Sequence, residues 1–320
     1  MTVHYQDDAV TLHHGDALEV CQSLESGSVD CIVTSPPYYG LRDYGEAGQY
    51  GLEATPEQYV ETMRALFAEL RRILTDDGTL WLNIGDSYAT RGGHSDHGQT
   101  SKLGGNSRRA QNVASENHTG LPLKNLLGIP WRVAFALQRD GWILRSDIIW
   151  AKPNGMPASV VDRVASKHEH LFMFSKQQRY WFDLDAIREP HSPVSVARAQ
   201  RNRFTADRSQ DGVGSPNTMN PLQAVHEGGR NPGDVWTIAT QPFPESHFAV
   251  MPVALAERCV RAGCKTEGTV LDPFSGSGTT GLAAARHGRK YVGIDLSREY
   301  LDLSLSTRLA QSGLGFEVSS

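Results

Sequence analysis

Leu271-Asp272-Pro273-Phe274-Ser275-Gly276-Ser277-Gly278-Thr279-Thr280-Gly281 stands between a short apolar run and a stretch of helix formers. Gly276 and Gly278 let the chain turn tightly and approach a ligand closely, and the helix that follows offers unpaired N–H groups. Asp295 closes the next strand, Lys290–Ile294, where a carboxylate can take both hydroxyls of a ribose. Gly276, Gly278 and Gly281 also satisfy the GxGxxG pattern of dinucleotide binders, so an NAD site is one reading. Against it stands Asp272, whose charge would lie beside the pyrophosphate. An acid there suits a cationic ligand, such as a sulfonium or an amino group. A glycine turn kept only for packing is the third reading.

The flanking sequence alternates strands and helices. Strands are expected at Val10–His14, Val29–Thr34, Thr79–Ile84, Trp142–Trp150, Glu169–Phe174 and Thr269–Leu271. Thr55-Pro56-Glu57-Gln58 opens a helix, with threonine as N-cap, proline at the first position and Gln58 as the capping-box residue. Tyr59, Met63, Leu66, Phe67, Leu70 and Leu74 follow on one face, and Asp77-Gly78 is expected to end the unit. Further helices are expected from Ile129 to Gln138, over Met251–Ala262 and over Thr279–His287. This spacing predicts an α/β fold with a mostly parallel sheet. Residues 91–125 and 186–240 are polar and aperiodic, and loops of that length are functional or disordered.

Composition narrows the class. The chain has 320 residues, 39% of them hydrophobic, and no run approaches the roughly 20 apolar residues of a membrane span. Its first residues show no basic region followed by an apolar stretch, so no secretory signal is expected. Cys21, Cys31, Cys259 and Cys264 form no CxxC pair, which fits a reducing, cytoplasmic setting. The net charge of -5 argues against nucleic-acid binding through bulk charge. Local basic patches exist nevertheless. Val196–Arg208 carries Arg198, Arg201, Arg203 and Arg208, and the 91–125 stretch carries Arg108 and Arg109. His94, Asp96 and His97 lie in a glycine-rich loop and are expected to be solvated, so no metal site is expected.

Thr34-Ser35-Pro36-Pro37-Tyr38-Tyr39 is the second decisive stretch. Two prolines stiffen the chain at the carboxyl end of a parallel strand, where open α/β sheets bind ligands. They present fixed carbonyls beside a hydroxyl and an aromatic ring, equipment suited to a flat, amine-bearing heterocycle. A proline-rich turn with core aromatics is the plainer alternative.

Together the two stretches resemble the S-adenosylmethionine-dependent DNA amino-methyltransferases, in the group whose catalytic tetrapeptide precedes the cofactor loop. Gly78–Asp86, Ile149–Pro153, Glu169–Lys176 and His247–Leu255 match that family as well. The resemblance implies a circularly permuted Rossmann-like methyltransferase fold, with helices on both faces of the sheet and two polar insertions. Residues 1–90 would form the catalytic half, 126–185 a continuation of the core and 241–320 the cofactor half. Residues 91–125 would be a loop insertion and 186–240 the region that reads the DNA sequence.

By the same resemblance Ser35, Pro36, Pro37 and Tyr38 are the catalytic tetrapeptide. S-adenosyl-L-methionine would be held by Asp272, Pro273, Phe274, Ser275, Gly276, Gly278, Thr279 and Thr280 around its methionine end. Asp295 would take the ribose, Asp16 would lie near the adenine, and Phe248 and Pro252 would complete the pocket. The arginines at 198, 201, 203, 208, 108 and 109, with Lys152, are expected to contact double-stranded DNA. A homodimer and a separately encoded restriction endonuclease are partners that many relatives have.

Methylation of cytosine C5 needs a cysteine nucleophile, and none of the four cysteines follows a proline in a strand-end turn. Transfer to an amine needs no nucleophilic residue. Serine at the first tetrapeptide position resembles the N4-cytosine enzymes, and aspartate the N6-adenine ones. N4-cytosine is therefore the expected target, N6-adenine the alternative, and an RNA or protein substrate a remote one.

Overall fold

The computed structural model describes residues 1–90, 119–155, 158–198, 226–241 and 251–309. Among them nine strands form one sheet. They are β1 (Thr2–Gln6), β2 (Val10–His14), β3 (Val29–Thr34), β4 (Leu74–Ile84), β5 (Ile143–Ala151), β6 (His168–Ser175), β7 (Val235–Thr237), β8 (Thr269–Asp272) and β9 (Lys290–Asp295). Their order across the sheet is β1-β2-β9-β8-β3-β4-β6-β5-β7. Only β1 and β6 run against the others, so the sheet is mostly parallel as expected.

Among the described residues, the helices on the two faces are α1 (Ala17–Ser23), α2 (Pro56–Ile73), α3 (Ile129–Arg139), α4 (Val253–Gly263), α5 (Thr279–Arg286) and α6 (Arg298–Ser304). The central strands explain this arrangement. Leu80, Leu82 and Ile84 join the core under α1–α3, while Trp81 points to the other core with α4–α6. Phe172 and Phe174 alternate with Leu171 and Met173 in the same way. Strands apolar on both faces are what a parallel sheet between two helical layers requires. No helix among the described residues is long and apolar enough to cross a membrane.

Thr55 caps α2 as its sequence predicts, accepting from the N–H of Gln58, with Pro56 in the first turn. The Gln58 side chain takes the N–H of Ala54 at 3.1 Å, one residue before the cap. The end of α2 differs from expectation. The helix stops at Ile73, and β4 begins at Leu74 rather than Thr79. Val29 pairs with Leu74 and Cys31 with Thr79, so the strand bulges between them. Leu74 folds back over Gly78, where an added Cβ would lie 2.6 Å from its side chain. Asp77, in the bulge, pairs with Lys265 at 2.8 Å.

Sequence periodicity does not announce strands β1 and β7 or helices α1 and α6. β1 is mostly exposed and β7 has three residues, too little apolar pattern to read. β7 falls inside the aperiodic 186–240 stretch and extends the core sheet beside β5.

Candidate active site

The carboxyl ends of β2, β9, β8, β3, β4 and β5, with the start of antiparallel β6, surround a cavity of about 360 Å³. Crevices at these strand ends are where open α/β sheets bind ligands. The tetrapeptide Ser35-Pro36-Pro37-Tyr38 leaves β3 on one side. Asp272 ends β8 on the other, and the loop from Pro273 to Ser277 carries the wall to α5. Asp295 at the end of β9 and Asp16 after β2 complete that side.

Asp272 is held from three directions. Its Oδ1 accepts from Thr34 Oγ1 at 2.7 Å and from the Phe274 N–H at 3.0 Å, and its Oδ2 accepts from Thr280 Oγ1 at 2.8 Å. Asp295 accepts from the Gly276 N–H at 2.7 Å and the Ser297 N–H at 2.8 Å. Burial pushes each carboxyl up to about 6, and the hydrogen bonds oppose that rise without cancelling it. All of these partners are neutral donors. A buried and a partly buried carboxylate, both hydrogen-bonded by neutral donors, fit a ligand that brings its own positive charge.

Tyr38 anchors the opposite wall. Its hydroxyl donates to Glu169 Oε2 at 2.6 Å and lies 3.2 Å from Asn83 Oδ1 and 3.3 Å from Ser35 Oγ. Asn83 Nδ2 donates to the same Glu169 oxygen at 3.1 Å and to the His170 carbonyl at 3.2 Å. Lys152 Nζ pairs with Glu169 Oε1 and lies 4.4 Å from the centre of the Trp150 ring. Burial and the Glu169 carboxylate hold the Tyr38 phenol well above its ordinary value, so it stays protonated. The Pro37 carbonyl accepts from Tyr59 OH at 2.9 Å, which fixes the turn.

Thr279 and Thr280 line the cavity at the start of α5. Gly278 does not; it caps α5 in a left-handed conformation, φ 77°, where a Cβ would come 2.9 Å from Ser304. Pro252 is buried as the N-cap of α4, and its neighbour Met251 reaches the cavity. Lys152, expected on the DNA surface, is part of the cavity wall. Arg198 is exposed at the edge of the described residues. Phe248, Arg108, Arg109, Arg201, Arg203 and Arg208 lie outside them, as do His94, Asp96 and His97. Glu169, Asn83, Tyr50 and Gly85 are site residues that sequence reasoning did not single out. Tyr50 packs edge-on against Phe274 at 5.1 Å, and a Cβ on Gly85 would meet the Tyr38 ring at 2.6 Å.

A DNA methylase family model of the N6/N4 type matches residues 29–306, a span holding the tetrapeptide, Asp272 and Asp295. The chain belongs to the N6/N4 DNA methylase family. Three of its similar relatives are Type II methyltransferases. M.XycI of Xanthomonas campestris pv. cyanopsidis is 47% identical over 92% of this chain and 86% of its own. M.SmaI of Serratia marcescens is 46% identical, with 91% and 87% covered. M.Cfr9I of Citrobacter freundii is 44% identical, with 93% and 87% covered.

Among solved structures, the cytosine-N4-specific PvuII DNA methyltransferase superposes with a TM-score of 0.63 at 19% identity, covering 99% of this chain and 90% of its own. A putative DNA modification methylase of Thermus thermophilus, in complex with S-adenosyl-L-methionine, gives 0.57 at 24% identity, with 95% of each covered. These two likenesses establish the fold. The N6/N4 DNA methylases draw their methyl group from S-adenosylmethionine. That donor carries a sulfonium, an amino group and a ribose diol, and the Asp272 and Asp295 carboxylates, hydrogen-bonded by neutral donors, fit such a ligand.

Proposed function

We propose that this methylase acts on the exocyclic N4 amine of cytosine at a defined site in duplex DNA, with the target base turned out of the helix. The observation that carries the reading is the place of Ser35, first residue of the tetrapeptide, in one cavity with Asp272 and Asp295. Serine at that position resembles the N4-cytosine enzymes. The Type II relatives support a duplex substrate and a partner restriction endonuclease encoded separately. A homodimer belongs to the same reading.

S-adenosylmethionine, when bound, supplies a methyl group already activated by its sulfonium. Asp295 takes the ribose hydroxyls, Asp16 lies at the adenine, and Asp272, Ser275 and Gly276 hold the methionine end. On the opposite wall Ser35 Oγ and the Pro36 carbonyl accept the hydrogens of the target amine. Two acceptors on an aromatic amine favour the pyramidal nitrogen whose lone pair is free to attack. Tyr38 stacks on the everted base, which repays part of the few kcal/mol that unstacking costs. With the base clamped and the donor fixed, the residues' task is alignment, and alignment alone is worth several powers of ten. Arg198, Arg201, Arg203, Arg208, Arg108 and Arg109 contact phosphates or guanine edges.

The test is the identity of the product. The protein is incubated with S-adenosylmethionine and unmethylated genomic DNA, and the nucleosides are resolved by mass spectrometry. N4-methylcytosine is the expected product; N6-methyladenine overturns the base assignment, and label found only in RNA or protein overturns the substrate class.

A further inference from the structure

Two atoms face the Tyr38 hydroxyl as acceptors, and this fixes the direction of every hydrogen bond that leads to the target amine. Glu169 Oε2, at 2.6 Å, belongs to a carboxylate paired through its other oxygen with the Lys152 ammonium. A carboxylate in such a pair has no hydrogen to give. Asn83 Oδ1, at 3.2 Å, is an acceptor too. The orientation of that amide follows from its other end, where Nδ2 faces Glu169 Oε2 and the His170 carbonyl, both acceptors. Tyr38 has one hydrogen, and both neighbours on this side demand it.

The 3.3 Å contact between Ser35 Oγ and Tyr38 OH then has one sense left. Tyr38 oxygen accepts, and the Ser35 hydroxyl donates to it. With its hydrogen committed, Ser35 Oγ turns lone pairs toward the cavity. We infer that Glu169 is a positioning residue that acts through Tyr38 to hold Ser35 as an obligate acceptor, so that the cavity selects a base presenting an amine and rejects one presenting a carbonyl at the same place. The inference rests on the function proposed above.

The direction matters to the chemistry as well as to the choice of base. A serine hydroxyl free to rotate could donate to the amine nitrogen and occupy the lone pair that must attack the methyl group. Ser35 held as an acceptor engages an N–H and leaves that lone pair free. Glu169 also has the packing to keep its place. It lies at the start of β6, half-buried, with Lys152 fixed over Trp150 on its far side. Gly85 leaves room for the Tyr38 ring against β4, where any side chain would displace it.

Glu169→Gln tests the inference with almost no change of shape. The amide can donate to Tyr38 oxygen, which releases the phenol hydrogen and lets the chain run in reverse. The recognition site is first mapped by sequencing methylated DNA. Duplexes with cytosine or uracil at the target position are then titrated against the parent and the variant, in the presence of S-adenosylhomocysteine. The two duplexes also differ in base pairing, and comparing the preference between variant and parent removes that difference.

The parent is expected to favour cytosine, and Glu169→Gln to narrow the preference about tenfold, near the net worth of one hydrogen bond to a charged group. S-adenosylhomocysteine affinity should be unchanged, which also shows that the variant is folded. Tyr38→Phe, which removes the middle link, should narrow the preference alike, and the double variant should be no worse than Tyr38→Phe alone. An unchanged preference in Glu169→Gln, or losses that add in the double variant, overturns the inference. If the parent methylates adenine instead, the base assignment fails on its own, and the same comparison made with adenine and hypoxanthine decides the direction.

Discussion

Asp272 Oδ1 accepts the hydroxyl hydrogen of Thr34 at 2.7 Å, across 238 positions of sequence. Thr34 is the residue before the tetrapeptide, and Asp272 heads the glycine loop. Both are buried, at the ends of neighbouring strands that pair through Ile32 and Leu271. This hydrogen bond, with the pairing of the two strands, ties the tetrapeptide wall of the cavity to the Asp272 wall.

Thr34→Val keeps the shape and removes this bond. The buried carboxylate loses one of its three donors, a loss of about 1–3 kcal/mol in stability. Urea unfolding without ligand should show a lower midpoint with the slope unchanged. A midpoint equal to the parent's would mean the bond contributes nothing to joining the walls.

Donor binding should weaken in acid. Burial raises Asp272 and Asp295 to about 6 in the free protein. A cationic ligand favours their ionised forms, so protons compete with it as the pH falls through that value. Calorimetric titration with S-adenosylmethionine should show constant affinity above about pH 7 and a decline below about pH 6, steeper than one proton when both acids take part. Thr34→Val removes a bond that favours the anion of Asp272, so the decline should begin at higher pH.

Gly85→Ala should act on the base wall alone. Its new Cβ would lie 2.6 Å from the Tyr38 ring, which must move. Displacement of that order costs about 10²-fold in rate when alignment carries the catalysis. Single-turnover methyl transfer should fall accordingly, with donor affinity unchanged.

Arg201, Arg203 and Arg208 are proposed to meet DNA. Replacing each by glutamine should weaken duplex binding and lower the salt dependence by about one ion for every phosphate no longer neutralised. Binding measured over a series of salt concentrations checks this; an unchanged slope would place the DNA surface elsewhere.

The sequence was most legible where chemistry and backbone geometry coincide. Gly276 and Gly278 announce a turn, Pro36 and Pro37 end a strand, and Thr55-Pro56 opens a helix; all three lie where local pattern placed them. At the α2–β4 junction Asp77-Gly78 reads as a terminator in sequence, and only the packing of Leu74 on Gly78 reveals a bulge. Glu169 and Asn83 were hidden for a different reason. Each is one polar residue in an apolar strand, and its meaning arises only when β4 and β6 pair and bring both to Tyr38. Lys152, expected to contact DNA, also meets Glu169 17 positions on, a pairing that the pattern around it does not announce.

The central claim is that one cavity divides its labour, with the donor on the carboxylate side and the base on the Ser35–Tyr38 side. Single-turnover methyl transfer by Ser35→Ala, at saturating S-adenosylmethionine on a duplex carrying the mapped site, tests this most directly. The predicted result is a donor affinity equal to the parent's with a rate lower by about 10²-fold, the scale of losing one placed hydrogen-bonding group at a reacting centre. A rate equal to the parent's, or donor binding lost together with the rate, would contradict the division.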